Sequence, residues 1–244
     1  MKARVRMGPR GRITRGGIVV IRRQRRVTGV RIVERLPASG PGFLTLERFR
    51  AKNLYRDGGV SAFYRFEVLH RRGVDAVAIL PFYFQPRGRR LMVVCKIGFR
   101  PGLHRRSRLA LPVRDRRRYT SVIEAVAGSL EPGDRGTGGI TARALGLGAG
   151  FFPSHGQSTE KVHLRAFEID PAHALEPQGD GSVNEADAGT IAIEATRLLF
   201  MCRAGLIEDP KLEIGVSRLL LVLRGRTSRA RRATVRRRTF NAHF

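Results

Sequence analysis

The alternation of apolar and polar side chains predicts β-strands through much of the first hundred residues. Residues 42–53 and 60–69 alternate with a period of two and flank an Asp-Gly-Gly turn, so they predict a hairpin. Residues 74–82 are apolar enough for a central strand, and residues 90–96 supply its partner across a turn at 86–88. The pattern therefore predicts a small antiparallel sheet followed by a larger one.

Helical periodicity dominates the last quarter of the chain. Apolar residues in 190–204 recur at three- and four-residue spacing, and 211–222 predicts a final apolar helix. Residues 170–190 form a polar stretch that predicts a loop. Together with the strands, this order predicts an α/β fold, and 244 residues suit one sizeable domain or a large domain with a small one.

Positive charge is concentrated at the two ends of the chain. The formal net charge is +27, and residues 1–28 hold ten basic residues and 224–244 hold eight, both without an acid. These ends predict contacts with an anionic polymer or surface. A solvated arm is the alternative at both ends, and an acid-poor transit peptide is a further alternative for 1–28, in which 18–21 are apolar enough for a strand.

A second arginine-rich segment covers residues 101–120, with seven arginines against Asp115. A solvated loop, a phosphate-binding lip and an RNA contact are all compatible with this composition. We take nucleic acid as a candidate partner. The candidate nucleic-acid-binding residues are Arg22, Arg23, Arg25, Arg26, Arg116, Arg117, Arg118, Arg231, Arg232, Arg236, Arg237 and Arg238.

Membrane and disulfide features are not indicated. No apolar run approaches the roughly 20 residues of a membrane-spanning helix, so no membrane partner is expected. Cys95 and Cys202 lie far apart in apolar contexts, which predicts two buried free thiols in a reducing compartment. A cytoplasmic location follows as an expectation.

Residues 124–151 read EAVAGSLEPGDRGTGGITARALGLGAGF and resemble the signature segment of the Nudix superfamily. Glu124, Ala127 and Gly128 match the E-x-x-A-G of its ADP-ribose pyrophosphatase branch, and Asp134 falls on the first glutamate of the Nudix box. The second half departs from the pattern. With one inserted residue, the three later box glutamates fall on Ala144, Leu147 and Gly148, none of which can coordinate a hard cation.

Four further landmarks resemble this branch in order and spacing. They are the Asp-Gly hairpin, Phe99-Arg100, the loop 154–160 that ends in Glu160, and the closing segment 205–211. The resemblance covers about 29–222 and implies a Nudix α/β/α sandwich with a small N-terminal β-hairpin or sheet, to which the charge distribution adds basic terminal tails. The expected organisation is a basic N-terminal arm at 1–28, a small β subdomain at 29–70, a Nudix-like domain at 71–222 and a basic C-terminal tail at 223–244. In the family the small sheet helps form a homodimer; a simple surface hairpin is the alternative here.

The resemblance also implies roles for individual residues, among them Asp209 of the closing segment, which would help start the last helix. Glu160 would be catalytic, Arg100 and Glu124 would bind substrate, and the Ala127 carbonyl, Glu131 and Asp134 would contact Mg²⁺ or Mn²⁺. Glu160 as a loop or capping carboxylate, and Arg100 as a surface arginine, are the alternatives.

Three functions follow as hypotheses. The chain is a metal-dependent Nudix pyrophosphohydrolase acting on ADP-ribose or another nucleoside diphosphate sugar, impaired or inactive because the box glutamates are replaced. Alternatively it is an arginine-rich pseudoenzyme that binds RNA or another nucleic acid, as in a ribonucleoprotein. A ligand-sensing or purely structural role is the third. The sequence leaves open whether any catalysis survives.

Overall fold

The structure is a computed structural model, and it describes residues 18–25, 27, 32–33, 42–71, 73–85, 90–130, 144–170 and 187–240. In the last helix, side chains are described as far as Gly225. Ten strands and three α-helices lie in this part of the chain. The strands are β1 (Ile18–Arg22), β2 (Leu44–Ala51), β3 (Tyr64–Arg71), β4 (Ala76–Phe84), β5 (Leu91–Gly98), β6 (Val122–Glu124), β7 (Val126–Ser129), β8 (Leu145–Gly146), β9 (Val162–Glu168) and β10 (Gly189–Glu194); the helices are α1 (Pro101–His104), α2 (Ala195–Arg203) and α3 (Pro210–Phe240), with a 3-10 turn at Arg105–Arg108.

Eight of the described strands form one mixed sheet in the order β1-β10-β5-β4-β9-β8, with β6 paired to β5 and β7 paired to β4. The β4–β9 pair is parallel and the other pairs are antiparallel. Strands buried on both faces need continuous apolar sequence, and β4, β5 and β10 have it. The fold is therefore mixed α/β, as the sequence predicts at that level.

β4 and β5 pair with each other only near their hairpin, at Phe82 to Phe84. Farther from the hairpin the two strands separate, and β6 and β7 lie between them. There β6 pairs with β5, and β7 pairs with β4. We call this inserted pair the wedge. Its apex, Ala125, is 2% exposed, and its N–H donates to Asp209 Oδ2 at 2.7 Å. A carboxylate from the start of α3 thus holds the wedge.

The main core lies between the sheet and the helices α2 and α3. Leu80, Phe82 and Ile193 of the sheet face Leu212 and Leu219 of α3 in this core. Helix α3 comes so close to β4 that a Cβ added at Gly215 would lie 2.8 Å from a methyl group of Leu80. The backbone of α3 at Gly215 therefore lies directly against the Leu80 side chain.

The connection between α2 and α3 has standard caps at both helix ends. Gly205 has φ +67°, and the N–H groups of Gly205 and Leu206 donate to the carbonyls of Cys202 and Met201, which is the Schellman arrangement. Asp209 then caps α3, accepting the Lys211 N–H at 2.9 Å. The prediction that Asp209 starts the last helix is confirmed.

The predicted hairpin is present as β2–β3, with Leu44 opposite Arg71 and Ala51 opposite Tyr64. Its turn contains Gly58 at φ +84°. Phe49 and Phe66 stack with centroids 4.9 Å apart on one face, and both remain exposed. An exposed aromatic face suits the homodimer that the sequence suggests, which stays a prediction.

Four expectations need correction. Residues 18–22 are not part of a separate arm, because β1 pairs with β10 in the main sheet. Residues 190–204 are half strand and half helix, since β10 ends at Glu194. The final helix does not end near Val222, and 223–240 continue α3 rather than forming a tail.

Residues 144–151, the described end of the box motif, are also not helical. Leu145 and Gly146 form β8 against β9, and Gly148 has φ +82°. Leu147 is 1% exposed and belongs to the core. The glycines that weaken a helix here permit an extended segment instead, so aligning Ala144, Leu147 and Gly148 with one metal-binding helical face is wrong.

Candidate functional site

Two of the predicted site residues, Glu160 and Arg100, lie at one edge of the main sheet. β4 and β9 begin at this edge, at Ala76 and Val162, and β5 ends there at Gly98. β7 reaches the same edge at Ser129, which pairs with Ala76. We call it the site edge. Residues far apart in sequence meet at the site edge because β4 and β9 begin there, whereas β5 and β7 end there.

Glu160, the predicted catalytic residue, lies at the site edge just before β9, where it pairs with Arg71. Arg71 Nη2 is 3.2 Å from Glu160 Oε1, and the two side chains are 13% and 26% exposed. Arg71 Nη1 donates to Ser129 Oγ at 2.9 Å. Arg71 Nε and Nη2 are buried and lack a partner in hydrogen-bond geometry, so the Glu160 contact is an ion pair without an aligned hydrogen bond. The carboxylate is thus neutralised by a mostly buried guanidinium.

A second group of polar contacts ties the hairpin and β9 to the same edge. His163 Nε2 lies 3.0 Å from Asp75 Oδ2, and the Lys161 N–H approaches Asp75 Oδ1 at 3.4 Å. His70 Nε2 lies 2.7 Å from Glu47 Oε2 within the hairpin. These carboxylates have partners inside the fold and act there as structural groups.

Arg100 and Glu124, the predicted substrate-binding pair, bind each other. Arg100 Nη2 and Nε donate to Glu124 Oε1 at 2.6 and 2.9 Å, and Nε also reaches Oε2 at 3.2 Å. The Glu124 side chain is 11% exposed and that of Arg100 is 42% exposed. Glu124 therefore positions the guanidinium, and the outer part of Arg100 stays open to an anion.

The expected metal contacts are only partly described. Ala127 lies in β7 opposite Ala78 of β4. Glu131 and Asp134 lie outside the described residues. Among the residues that the structure describes, no three His, Cys, Asp or Glu side chains form a group able to hold a metal ion. With Glu160 paired to Arg71, the residues that the structure describes do not by themselves provide a ligand set for a divalent cation.

The segment 101–121 is an ordered loop built around its one acid. Asp115 Oδ2 accepts from Arg106 Nε at 3.0 Å and from the Tyr119 hydroxyl at 2.9 Å, and Oδ1 accepts the Arg117 N–H at 3.0 Å. The Arg117 N–H, the Tyr119 hydroxyl and Arg106, in that order, lower the pKa of Asp115. Tyr119 has φ +31°, a conformation that the contacts around Asp115 support.

The same loop docks on the α2–α3 connection. Arg117 Nη1 pairs with Glu208 at 3.1 Å, and its Nη2 donates to the Gly205 carbonyl. Burial and hydrogen bonds to Asp115 and Glu208 raise the pKa of Tyr119 to about 12. Arg117 thus anchors the loop, while Arg116 and Arg118 beside it are exposed.

The chain after β1 meets this loop. Ser121 Oγ donates to Gln24 Oε1 at 2.7 Å, which brings Arg23 and Arg25 beside the loop although about a hundred positions separate the segments. Arg23 is exposed, and Arg25 is exposed and 3.7 Å from Asp187. We call the exposed arginines of these two segments, apart from Arg106 and Arg117, the basic surface; they are Arg23, Arg25, Arg105, Arg108, Arg114, Arg116 and Arg118.

The remaining candidate arginines are distributed differently. Arg22 ends β1 and is partly buried, and Arg26 lies outside the described residues. The C-terminal candidates lie on the backbone of α3, in its part beyond Gly225. They are Arg231, Arg232, Arg236, Arg237 and Arg238.

Sequence reasoning missed Arg71 and gave Asp115 no role. Arg71 ends a strand beside a second arginine, and nothing in that pattern shows that its guanidinium is buried. Asp115 did carry a signal, since it is the only acid among seven arginines in 101–120. An isolated acid in a basic loop is expected to accept hydrogen bonds from several neighbouring donors.

A search against models of known protein families finds no match for this chain, and a search of curated proteins finds none either. Within the described residues, no helix is long and apolar enough to cross a membrane.

Proposed function

We propose that this chain is a Nudix-like protein of the ADP-ribose pyrophosphatase type that binds nucleic acid and whose pyrophosphatase chemistry is impaired. The observation that carries the binding function is the Gln24–Ser121 contact, which joins two basic segments into one surface. That surface presents seven exposed arginines, and Asp115 and Glu208 beside it are already engaged with Arg106 and Arg117. Such a surface contacts phosphates and is weakly selective for sequence.

Ion pairs at the site edge support the impaired chemistry. A general base must reach a proton on the attacking water, and Glu160 is instead paired with Arg71. The Arg71 guanidinium also blocks approach of a metal by charge, because a cation would have to bind next to a buried cation. The hairpin and the mixed α/β architecture are compatible with the resemblance, and the extended 144–150 segment departs from it.

Salt dependence tests the binding function. We compare Arg116→Gln/Arg118→Gln with Arg56→Gln/Arg90→Gln; the control pair removes the same charge from exposed positions at the hairpin turn and before β5. Binding of a single-stranded RNA is measured by fluorescence anisotropy between about 50 and 200 mM salt. Each lost phosphate contact should lower the log–log slope by about 0.7 to 0.9. The loop pair should flatten the slope and the control pair should leave it nearly unchanged. Equal slopes in both variants, or no binding by the wild type, would refute the basic surface.

Residual pyrophosphatase activity is a second candidate, favoured by the Arg100–Glu124 pair. A positioned, partly exposed guanidinium at the site edge is suited to a diphosphate. Glu160→Gln distinguishes a structural Glu160 from a catalytic one. Two quantities are measured for this variant: turnover of ADP-ribose with Mg²⁺ or Mn²⁺, and stability to urea. A structural Glu160 predicts reduced stability and no change in an already negligible turnover. Turnover within the ordinary range of about 1–10³ s⁻¹ that this substitution abolishes would establish the enzyme instead.

A further inference from the structure

Helix α3 has two parts of different character. Between Pro210 and Leu223 one face of the helix packs on the sheet, with Leu212, Val216 and Leu219 fully buried. From Arg224 to Phe240 the helix continues without a break. The packed part fixes the direction of the second part and supplies its helical nucleus, which an isolated helix of this length would have to form at a cost.

The second part carries only positive charge. Residues 224–240 contain eight arginines and no acid, and the last acid on the helix is Glu213. At 3.6 residues per turn, the eight arginine positions are distributed around the whole helix axis rather than along one face. The four apolar positions, Ala230, Ala233, Val235 and Phe240, form no continuous stripe. This distribution does not match a flat membrane surface or a second apolar helix.

A partner with phosphates on more than one side of the helix matches it. The major groove of duplex DNA is about 12 Å wide, admits an α-helix and has a phosphate backbone on each wall. Seventeen residues at 1.5 Å each span about 25 Å, or roughly seven base pairs. Resting on the proposed nucleic-acid function, we propose that residues 224–240 of α3 are a groove-binding helix for duplex DNA.

Helical form and charge can be separated at Ala230. Ala230→Pro removes helical continuity and keeps every arginine, whereas Ala230→Gln keeps both. Position 230 lies beyond the part of α3 that packs on the sheet, so both variants should retain the core. Each full-length protein is titrated by anisotropy with a 20-base-pair DNA duplex and with one of its single strands, and helicity is followed by circular dichroism at 222 nm.

We expect Ala230→Pro to weaken duplex binding by about tenfold while single-strand affinity stays within about twofold, and Ala230→Gln to resemble the wild type. Helical signal should increase on duplex addition in the wild type and in Ala230→Gln, because bound phosphates remove repulsion among the arginines. Equal duplex affinity in Ala230→Pro and wild type would overturn the groove helix and leave the basic surface intact. If the wild type binds neither probe nor RNA, the proposed function fails as well.

Discussion

Asp209 connects the start of α3 to the apex of the wedge, and its removal should test both at once. Its Oδ2 accepts the buried Ala125 N–H at 2.7 Å, while Oδ1 accepts the Lys211 N–H at 2.9 Å and lies 3.1 Å from Lys211 Nζ. The side chain is 3% exposed, so solvent cannot replace these bonds. Asp209→Ala should therefore leave one buried donor unsatisfied and uncap the helix.

The magnitude follows from these two losses. An unsatisfied buried N–H costs about 1–3 kcal/mol, and loss of an N-cap costs about 1 kcal/mol. Asp209→Ala should lower the free energy of unfolding by about 2–4 kcal/mol. Asp209→Asn keeps one acceptor oxygen and should fall between the wild type and the alanine variant. The adjacent Glu208→Ala is the control, because it removes contacts of a half-exposed carboxylate with Arg117 and Tyr119 and leaves the Ala125 N–H and the cap of α3 intact; an exposed ion pair of this kind is worth at most about 1 kcal/mol.

Urea unfolding followed by far-ultraviolet circular dichroism measures all three variants. The urea midpoint should fall in the order Glu208→Ala, Asp209→Asn, Asp209→Ala, with an unchanged slope. If Asp209→Ala is no less stable than Glu208→Ala, the wedge apex does not depend on this carboxylate and the account of the connection is wrong.

Three further predictions concern packing, pH and the thiols. Gly215→Ala should destabilise the protein by up to about 2 kcal/mol in the same urea assay, because a Cβ 2.8 Å from a leucine methyl costs about 1–3 kcal/mol and the gain in helix propensity is about 1 kcal/mol. Gly225→Ala is the control and should stabilise the protein, because a Cβ there would have no atom within 4 Å. Equal effects of the two substitutions would contradict the close helix–sheet contact. The lowered pKa of Asp115 means that its loop contacts persist at its unfolded pKa, about 3.9, and are lost only as pH falls through the lower folded value. Amide exchange of residues 101–120, followed as pH is lowered from about 3.9 and corrected for intrinsic rates, should stay slower than in Asp115→Asn at first and then rise to match it; equal exchange in the two proteins already at about pH 3.9 would contradict the prediction. Burial raises the pKa of Cys95 strongly and that of Cys202 to about 11, so both thiols should resist alkylation at pH 8 until denaturant is added. Rapid labelling of the native protein would show instead that the core opens around these cysteines.

Local signals explain which parts of this fold the sequence predicts. The hairpin is encoded by alternation and a glycine turn, and the start of α3 by Asp209 before a periodic apolar run, all within about ten residues. The sequence predicts helix at β10 because the spacing of Ile191 and Ile193 fits a strand or a helix, and only the neighbouring strand β5 distinguishes the two. The membership of a known family remains a prediction.

The site edge depends on contacts that no local pattern contains. Arg71 and Glu160 come together because β4 and β9 are parallel neighbours, and the wedge exists because β4 and β5 separate after their hairpin. Gln24 meets Ser121 for a similar reason, since β1 and β10 place the following chain beside the end of β5. Charge counts could find the arginines but not which of them share a surface.

The position of β1 has a consequence during synthesis. β1 is an edge strand, and its partner comes about 175 residues later, with Ile18 opposite Ile193. A ribosome makes β1 first, so this apolar strand must wait without its partner until β10 emerges. Arg22 and Arg23 directly follow the strand, where charged residues oppose self-association of an unpaired apolar segment. The arginines beside β1 can therefore protect the nascent chain from aggregation as well as contribute charge to the finished protein.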